Sequence, residues 1–149
     1  MKPITTWILI ANGARARILE HKALGAGIKA IKGMEFFDEK LSTSDIMADK
    51  SGRAFASVGN SRSAIELKTD PVAKREAEFA LILAQTLNKK YQSKAFNRLV
   101  IFAAPNALGD LRQSLNNDVS NNIIAEITKD LTKVPNDEIA KHLKDVMLI

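Results

Sequence analysis

The chain of 149 residues contains no cysteine. This absence excludes a disulfide framework, a thiolate zinc site, an iron–sulfur cluster and cysteine nucleophile chemistry. The length is that of an ordinary single domain, which can bury enough surface to fold without such crosslinks. No repeat, low-complexity linker or shift in composition indicates a second domain. We therefore predict one domain over residues 1–149, held together by its core.

Long apolar runs are also missing. The longest stretches, Trp7 to Ala11 and Phe79 to Ala84, fall far short of the roughly 18 to 20 residues needed to cross a bilayer. The first residues carry one lysine, with no long apolar region and no small-residue cleavage site after it. These features predict a cytoplasmic protein without an integral membrane segment.

The residue sets of common catalytic and cofactor sites are sparse. The predicted strands offer too few carboxylates for a two-metal nuclease, which needs several that converge. Of the two histidines, we interpret His21 as a surface turn residue and His142 as a solvated side chain of the last helix. Gly25 and Gly27 lack the following helix and third glycine of a dinucleotide motif. The sequence thus identifies no catalytic residue, predicts no cofactor or metal, and favours a protein that is not an enzyme.

Positive charge is in modest excess. Lysine and arginine number 22 against 17 acidic residues, which gives a net charge of +5. Such an excess favours phosphate-rich partners where the basic groups share a face. Residues Ala14 to Glu20 alternate apolar side chains with Arg15 and Arg17, a strand pattern with one basic face. Arg15, Arg17 and Lys68 are therefore our candidate basic binding face.

Periodicity and turn residues predict an α/β fold in the order βββαβαβα. Asp70 and Pro71 form a strong helix start, and Asn136 is read as the N-cap of the last helix. Three antiparallel strands followed by alternating helix and strand imply a mixed five-stranded sheet with flanking helices, an order shared with ribonuclease-H-like domains. The strands are predicted at Thr6–Ala11, Ala14–Glu20, Ile28–Phe36, Arg98–Ala104 and Asn121–Ile127, and the helices at about 71–93, 107–115 and 136–147.

Between residues 37 and 70 no apolar period persists, which predicts a long irregular loop and makes it the main candidate for a working region. Its glycines and arginines suit phosphate or carboxylate recognition. A surface loop anchored by Phe55 explains the same residues equally well. A hydrolase site built from Asp45, Asp49 and Glu66 with two arginines is a further alternative. The candidate binding residues of the loop are Asp49, Gly52, Arg53, Phe55, Gly59, Asn60, Arg62 and Glu66.

Several ordered blocks carry a resemblance to one family. They are Trp7 to Arg17, Asp49 to Phe55, Thr69 to Pro71, Phe96 to Pro105, Leu108 to Arg112 and Glu126 to Thr132. In order and spacing the chain resembles the host attachment protein family over nearly its whole length. That family is similar to the middle domain of archaeal and eukaryotic peptide-chain release factors. The resemblance implies a ribonuclease-H-like fold and relatives that act at the ribosome.

The chain departs from its relatives at two places in the loop. The region Val58 to Ser61 lacks the Gly-Gly-Gln triplet with which release factors promote hydrolysis. Ser63 stands where family members commonly carry histidine. The leading hypothesis is thus a noncatalytic ribosome- or RNA-associated protein. The alternatives are an interaction protein that contributes to attachment by contacting host-contact or envelope proteins, and the hydrolase.

Overall fold

The computed structural model describes residues 3–41 and 70–149. They form one five-stranded mixed sheet in the order β3-β2-β1-β4-β5. The strands are β1 (Thr6–Ala11), β2 (Arg15–His21), β3 (Lys29–Phe37), β4 (Arg98–Ala103) and β5 (Ile123–Ile127). The first three strands pair antiparallel, and β4 lies parallel to both β1 and β5. The predicted α/β class and mixed sheet are confirmed.

Within residues 3–41 and 70–149, four helices with described ends flank the sheet. They are α1 (Pro71–Gln92), α2 (Pro105–Ser114), α3 (Asn117–Ser120) and α4 (Asn136–Leu143). Asp70 caps α1 as predicted, because its Oδ1 accepts from the amide of Val72 at 2.9 Å. Val72 itself, which the helical period places on the buried side, is 41% exposed. None of these helices combines the length and apolar character that a bilayer crossing needs.

Both faces of the central strands are covered, as a continuous apolar run predicts. Alternate residues of β1 separate into two layers: Trp7, Leu9 and Ala11 pack with α1 and α2, whereas Ile8 and Ile10 pack with α4. Every residue of β1 is buried. This strand therefore separates the core into two layers, one on each face of the sheet.

A bulge distorts the edge of the sheet. The step from Arg17 to Leu19 on β2 faces the longer step from Ala30 to Glu35 on β3, so that β3 carries extra residues. Gly33 lies inside this bulge with φ of 81°, a conformation that suits glycine. Beyond it, β3 runs on to Phe37, which the sequence assigns to the loop.

Three predictions at element ends are wrong. Asn136 is the first residue of α4 and not its N-cap. Pro135 occupies the N-cap position without a side-chain hydrogen bond, and the Asn136 Oδ1 accepts from Arg17 instead. Two helices, not one, separate β4 from β5, since Asn116 caps the additional turn α3. His21 is no surface turn residue. It ends β2 and is only 4% exposed.

Candidate functional site

An arginine and an aromatic ring meet at the edge of the sheet. Arg15 on β2 and Phe37 on β3 are cross-strand partners, and the Arg15 Cζ atom lies 5.1 Å from the centroid of the Phe37 ring. The ring is 54% exposed, and Arg15 is exposed too. A groove of about 470 Å³ runs beside them, lined also by Arg17, Glu35 and Thr132. We call this the Arg15–Phe37 groove.

Arg17 contributes differently to the same surface. Its Nε donates to Asn136 Oδ1 at 2.8 Å, one Nη donates to the Thr132 carbonyl at 2.9 Å, and the other donates to the Val134 carbonyl. Burial lowers the pKa of Arg17, an effect that the nearby carboxylate of Glu35 opposes. The guanidinium therefore fastens the segment before α4 to β2.

The structure thus separates the two arginines of the predicted basic face. Arg15 lies on the exposed surface against an aromatic ring, whereas Arg17 is committed in large part to backbone oxygens. Lys68, the third member, lies outside the described residues.

A second polar centre lies where the parallel strands end. Asn12 follows β1, and its Oδ1 accepts from the amides of Ala14 at 2.9 Å and Arg15 at 2.8 Å. Its Nδ2 donates to Asp130 Oδ2 and Thr132 Oγ1, both at 3.1 Å. Burial raises the pKa of Asp130, but the hydrogen bonds from Thr132 and Asn12 outweigh burial and hold it below the usual value.

The crevice beside Asn12 also receives a carboxylate from α1. A Cβ atom on Gly13 would lie 1.8 Å from Glu76 Oε2, so the absence of a side chain at Gly13 makes room for this carboxylate. The amino end of α2 completes the crevice, which measures about 320 Å³. Across residues 3–41 and 70–149, no group of three or more histidine, aspartate or glutamate side chains is placed to hold a metal ion.

Most of the predicted site falls elsewhere in the chain. Besides Lys68, the candidate loop residues Asp49, Gly52, Arg53, Phe55, Gly59, Asn60, Arg62 and Glu66 lie outside the described residues. The hydrolase alternative, which also uses Asp45, rests wholly on that segment. These assignments stay predictions, and the described part of the site is the surface around Arg15.

Two polar arrangements of the structure have no counterpart in the sequence reasoning. One is the network of Asn12 with Asp130, residues that are 118 positions apart. The other is a partly buried row of Thr6, His21 and Arg98 across three strands. For Asn12, its place directly after a buried apolar strand is the available signal. No local pattern marks the row, because its members come together only through strand pairing.

Comparison with known proteins places the chain in a family. No curated protein matches the chain. A family model described as "Protein required for attachment to host cells" matches residues 7–143, a range that runs from within β1 to the end of α4. The match covers most of the chain, and the protein belongs to this family of proteins required for attachment to host cells.

Proposed function

We propose that the protein is a noncatalytic interaction protein that contributes to attachment through the Arg15–Phe37 groove. The observation that carries this proposal is the exposed ring of Phe37 beneath the guanidinium of Arg15. Aromatic and arginine side chains are the types that most often dominate binding energy at protein interfaces. The family match supports a role in attachment to host cells.

The groove also suggests what kind of surface would bind there. Arg15 is exposed, and the ring of Phe37 holds its guanidinium in a defined position. Glu35 and Arg17 also line the groove, and the guanidinium of Arg17 is hydrogen-bonded to the segment before α4. A partner that places an acidic side chain near Arg15 and an apolar side chain against Phe37 would match the chemistry of both residues.

An attachment assay with matched variants tests this function. Cells that lack the gene are complemented with the wild type, Phe37→Ser or Ile82→Ser, and attached cells are counted. Phe37 and Ile82 are each 54% exposed, but Ile82 lies on α1. We expect Phe37→Ser to weaken partner binding roughly tenfold and to reduce attachment, as loss of an interface anchor does. Equal attachment by both variants would contradict the proposal.

A second candidate function is association with RNA or the ribosome. The specific observation in its favour is again the Arg15–Phe37 stack, because unpaired bases stack on aromatic rings and guanidinium planes. The net charge of +5 also favours association with RNA, whose phosphates are negatively charged. We also propose a ribonuclease-H-like fold related to release-factor middle domains, which the strand order β3-β2-β1-β4-β5 supports.

Affinity purification from the native cells separates the two candidates. RNA association predicts recovery of ribosomal RNA at low salt and its loss at moderate salt, because phosphate contacts release counterions. The attachment proposal predicts envelope proteins without RNA. The cytoplasmic location expected from the sequence is likewise a proposal, and fractionation of cells during host contact tests it. A cytoplasmic result would make the role in attachment indirect.

A further inference from the structure

A polar row crosses the sheet at the end opposite the Asn12 crevice. Thr6 on β1 pairs with His21 on β2 and with Arg98 on β4. Residues paired across neighbouring strands point to the same face, so the three side chains stand side by side. Within residues 3–41 and 70–149, Thr6 and His21 are the only polar residues that are buried. Both belong to this row.

The row has hydrogen-bonding capacity that the described residues do not use. Apart from the nearby backbone of Ala23, neither ring nitrogen of His21 has a hydrogen-bond partner there, although the residue is 4% exposed. Arg98 donates through Nε to Thr6 Oγ1 at 2.7 Å, and forms no ion pair with the described carboxylates. Buried polar groups are nearly always hydrogen-bonded, so the two ring nitrogens of His21 call for an explanation.

The state of His21 sharpens the chemistry. Burial lowers the pKa of His21, the positive charge of Arg98 lowers it further, and the backbone at Ala23 opposes both effects only in part. The imidazole is therefore neutral near pH 7, with one N–H donor. Beside this neutral ring, the terminal N–H groups of the Arg98 guanidinium match a single negative charge with two oxygen acceptors.

Apolar side chains surround the opening above this row. The groove measures about 620 Å³, within the range of ligand sites, and both His21 and Arg98 line it. Its apolar rim is exposed: Ile4 by 55%, Leu24 by 69%, Ile124 by 43% and Leu148 by 77%. These are half of the eight large apolar side chains that are exposed in the described part of the chain. Such clustering is typical of a binding groove.

We propose that this groove binds a linear aliphatic carboxylate, such as a medium-chain fatty acid. The carboxylate oxygens accept from the terminal N–H groups of Arg98, beside the ring of His21, and the alkyl chain covers the rim formed by Leu24, Ile124 and Leu148. Arginine and carboxylate match in geometry as well as charge. The other cation of the groove, Lys22, already lies 3.6 Å from Glu20, so a doubly charged phosphate finds less support.

Calorimetric titration of the full chain with decanoate, below its micelle concentration, tests the proposal. We expect saturable one-to-one binding to the wild type and much weaker binding of decanol, which lacks the carboxylate. Arg98→Gln retains a donor for Thr6 but removes the charge, and should weaken decanoate binding roughly tenfold or more. Arg112→Gln, which changes an exposed arginine paired with Glu126, is the control and should bind normally.

A second pair of variants tests the alkyl site. Both substitutions change exposed residues outside the polar row, so a change in binding would not reflect misfolding of the row. Leu24→Ser should weaken decanoate binding several-fold through lost apolar contact, whereas Ile82→Ser on α1 should not. The proposal is overturned if the wild type binds no decanoate, if decanol binds as tightly, or if Arg98→Gln and Leu24→Ser both bind like the wild type. Self-association that decanoate does not reverse would instead assign the groove to a second copy of the chain.

Discussion

At the scale of single residues, two arginines that alternate along one strand have separate roles. Arg15 lies exposed over Phe37, and Arg17 donates three hydrogen bonds to the segment Thr132 to Asn136. The alternation of β2 correctly predicts that both arginines share a face, because period two is a local property. It cannot distinguish them, since the partners of Arg17 come from a distant part of the chain.

Arg17→Met should destabilise the fold because it removes these three bonds while keeping part of the side-chain volume. Hydrogen bonds to a charged group are worth about 1.5–3 kcal/mol, and we expect a loss of at least about 2 kcal/mol in the free energy of unfolding. Urea denaturation measures this loss. Arg112→Met removes an exposed arginine and its ion pair with Glu126, and should have a smaller effect. Equal losses for the two substitutions would show that the hydrogen bonds of Arg17 stabilise the fold no more than the exposed ion pair of Arg112 does.

At the scale of elements, the sequence predicts regular segments better than their connections. The strand Thr6–Ala11 is recovered to the residue, since a run buried on both faces needs no distant information. The helix α3 is missed because four residues carry no period. The Asn136 cap fails for another reason: its side chain accepts from Arg17, and tertiary pairing takes precedence over local capping.

The connection between the β1–β2 turn and the loop after β5 depends on Asn12 and Asp130. Asn12→Asp places a second carboxylate where the amide now donates to Asp130 at 3.1 Å, and should destabilise the fold by roughly 1–3 kcal/mol. Adding Asp130→Asn should recover most of this loss. The exchanged pair restores one donor and one acceptor, and the carboxylate introduced at position 12 can still accept from the backbone amides.

Urea midpoints of the wild type, the two single variants and the double variant form the required cycle. A double variant whose loss of stability equals the sum of the single losses would mean that the two side chains do not interact. The amide of Asn12 would then stabilise only its own turn. The cycle therefore measures the part of the role of Asn12 that depends on tertiary structure.

At the scale of the whole molecule, the sequence predicts the sheet and its two covered faces but not the polar centres between them. Apolar runs and turns indicate how many layers pack together. Strand pairing decides which polar residues become neighbours, and this is how Thr6, His21 and Arg98 form a row. The same pairing explains why His21 is buried. As the last residue of β2, it lies beside β1 instead of entering the turn.

This placement of His21 makes global stability depend on pH. Because its pKa is lowered in the folded protein from an ordinary value of 6.5, protons bind the unfolded chain first as the pH falls. The free energy of unfolding should therefore decrease below about pH 6.5, until the folded protein binds the proton as well. Asp38 and Asp130, whose pKa values are lowered from 3.8, contribute a separate loss at more acidic pH.

His21→Phe removes the titrating group while keeping a ring of similar shape. The variant should show a flatter dependence of unfolding free energy on pH just below about 6.5, whatever its stability at neutral pH, and the same acidic loss from the aspartates. Urea denaturation at a series of pH values measures both slopes. Arg98 and Lys22 line the same groove as this ring, and Glu20 precedes it on β2. Parallel curves for wild type and variant would mean that His21 takes up its proton equally in the folded and unfolded chain, which would contradict its burial beside Arg98.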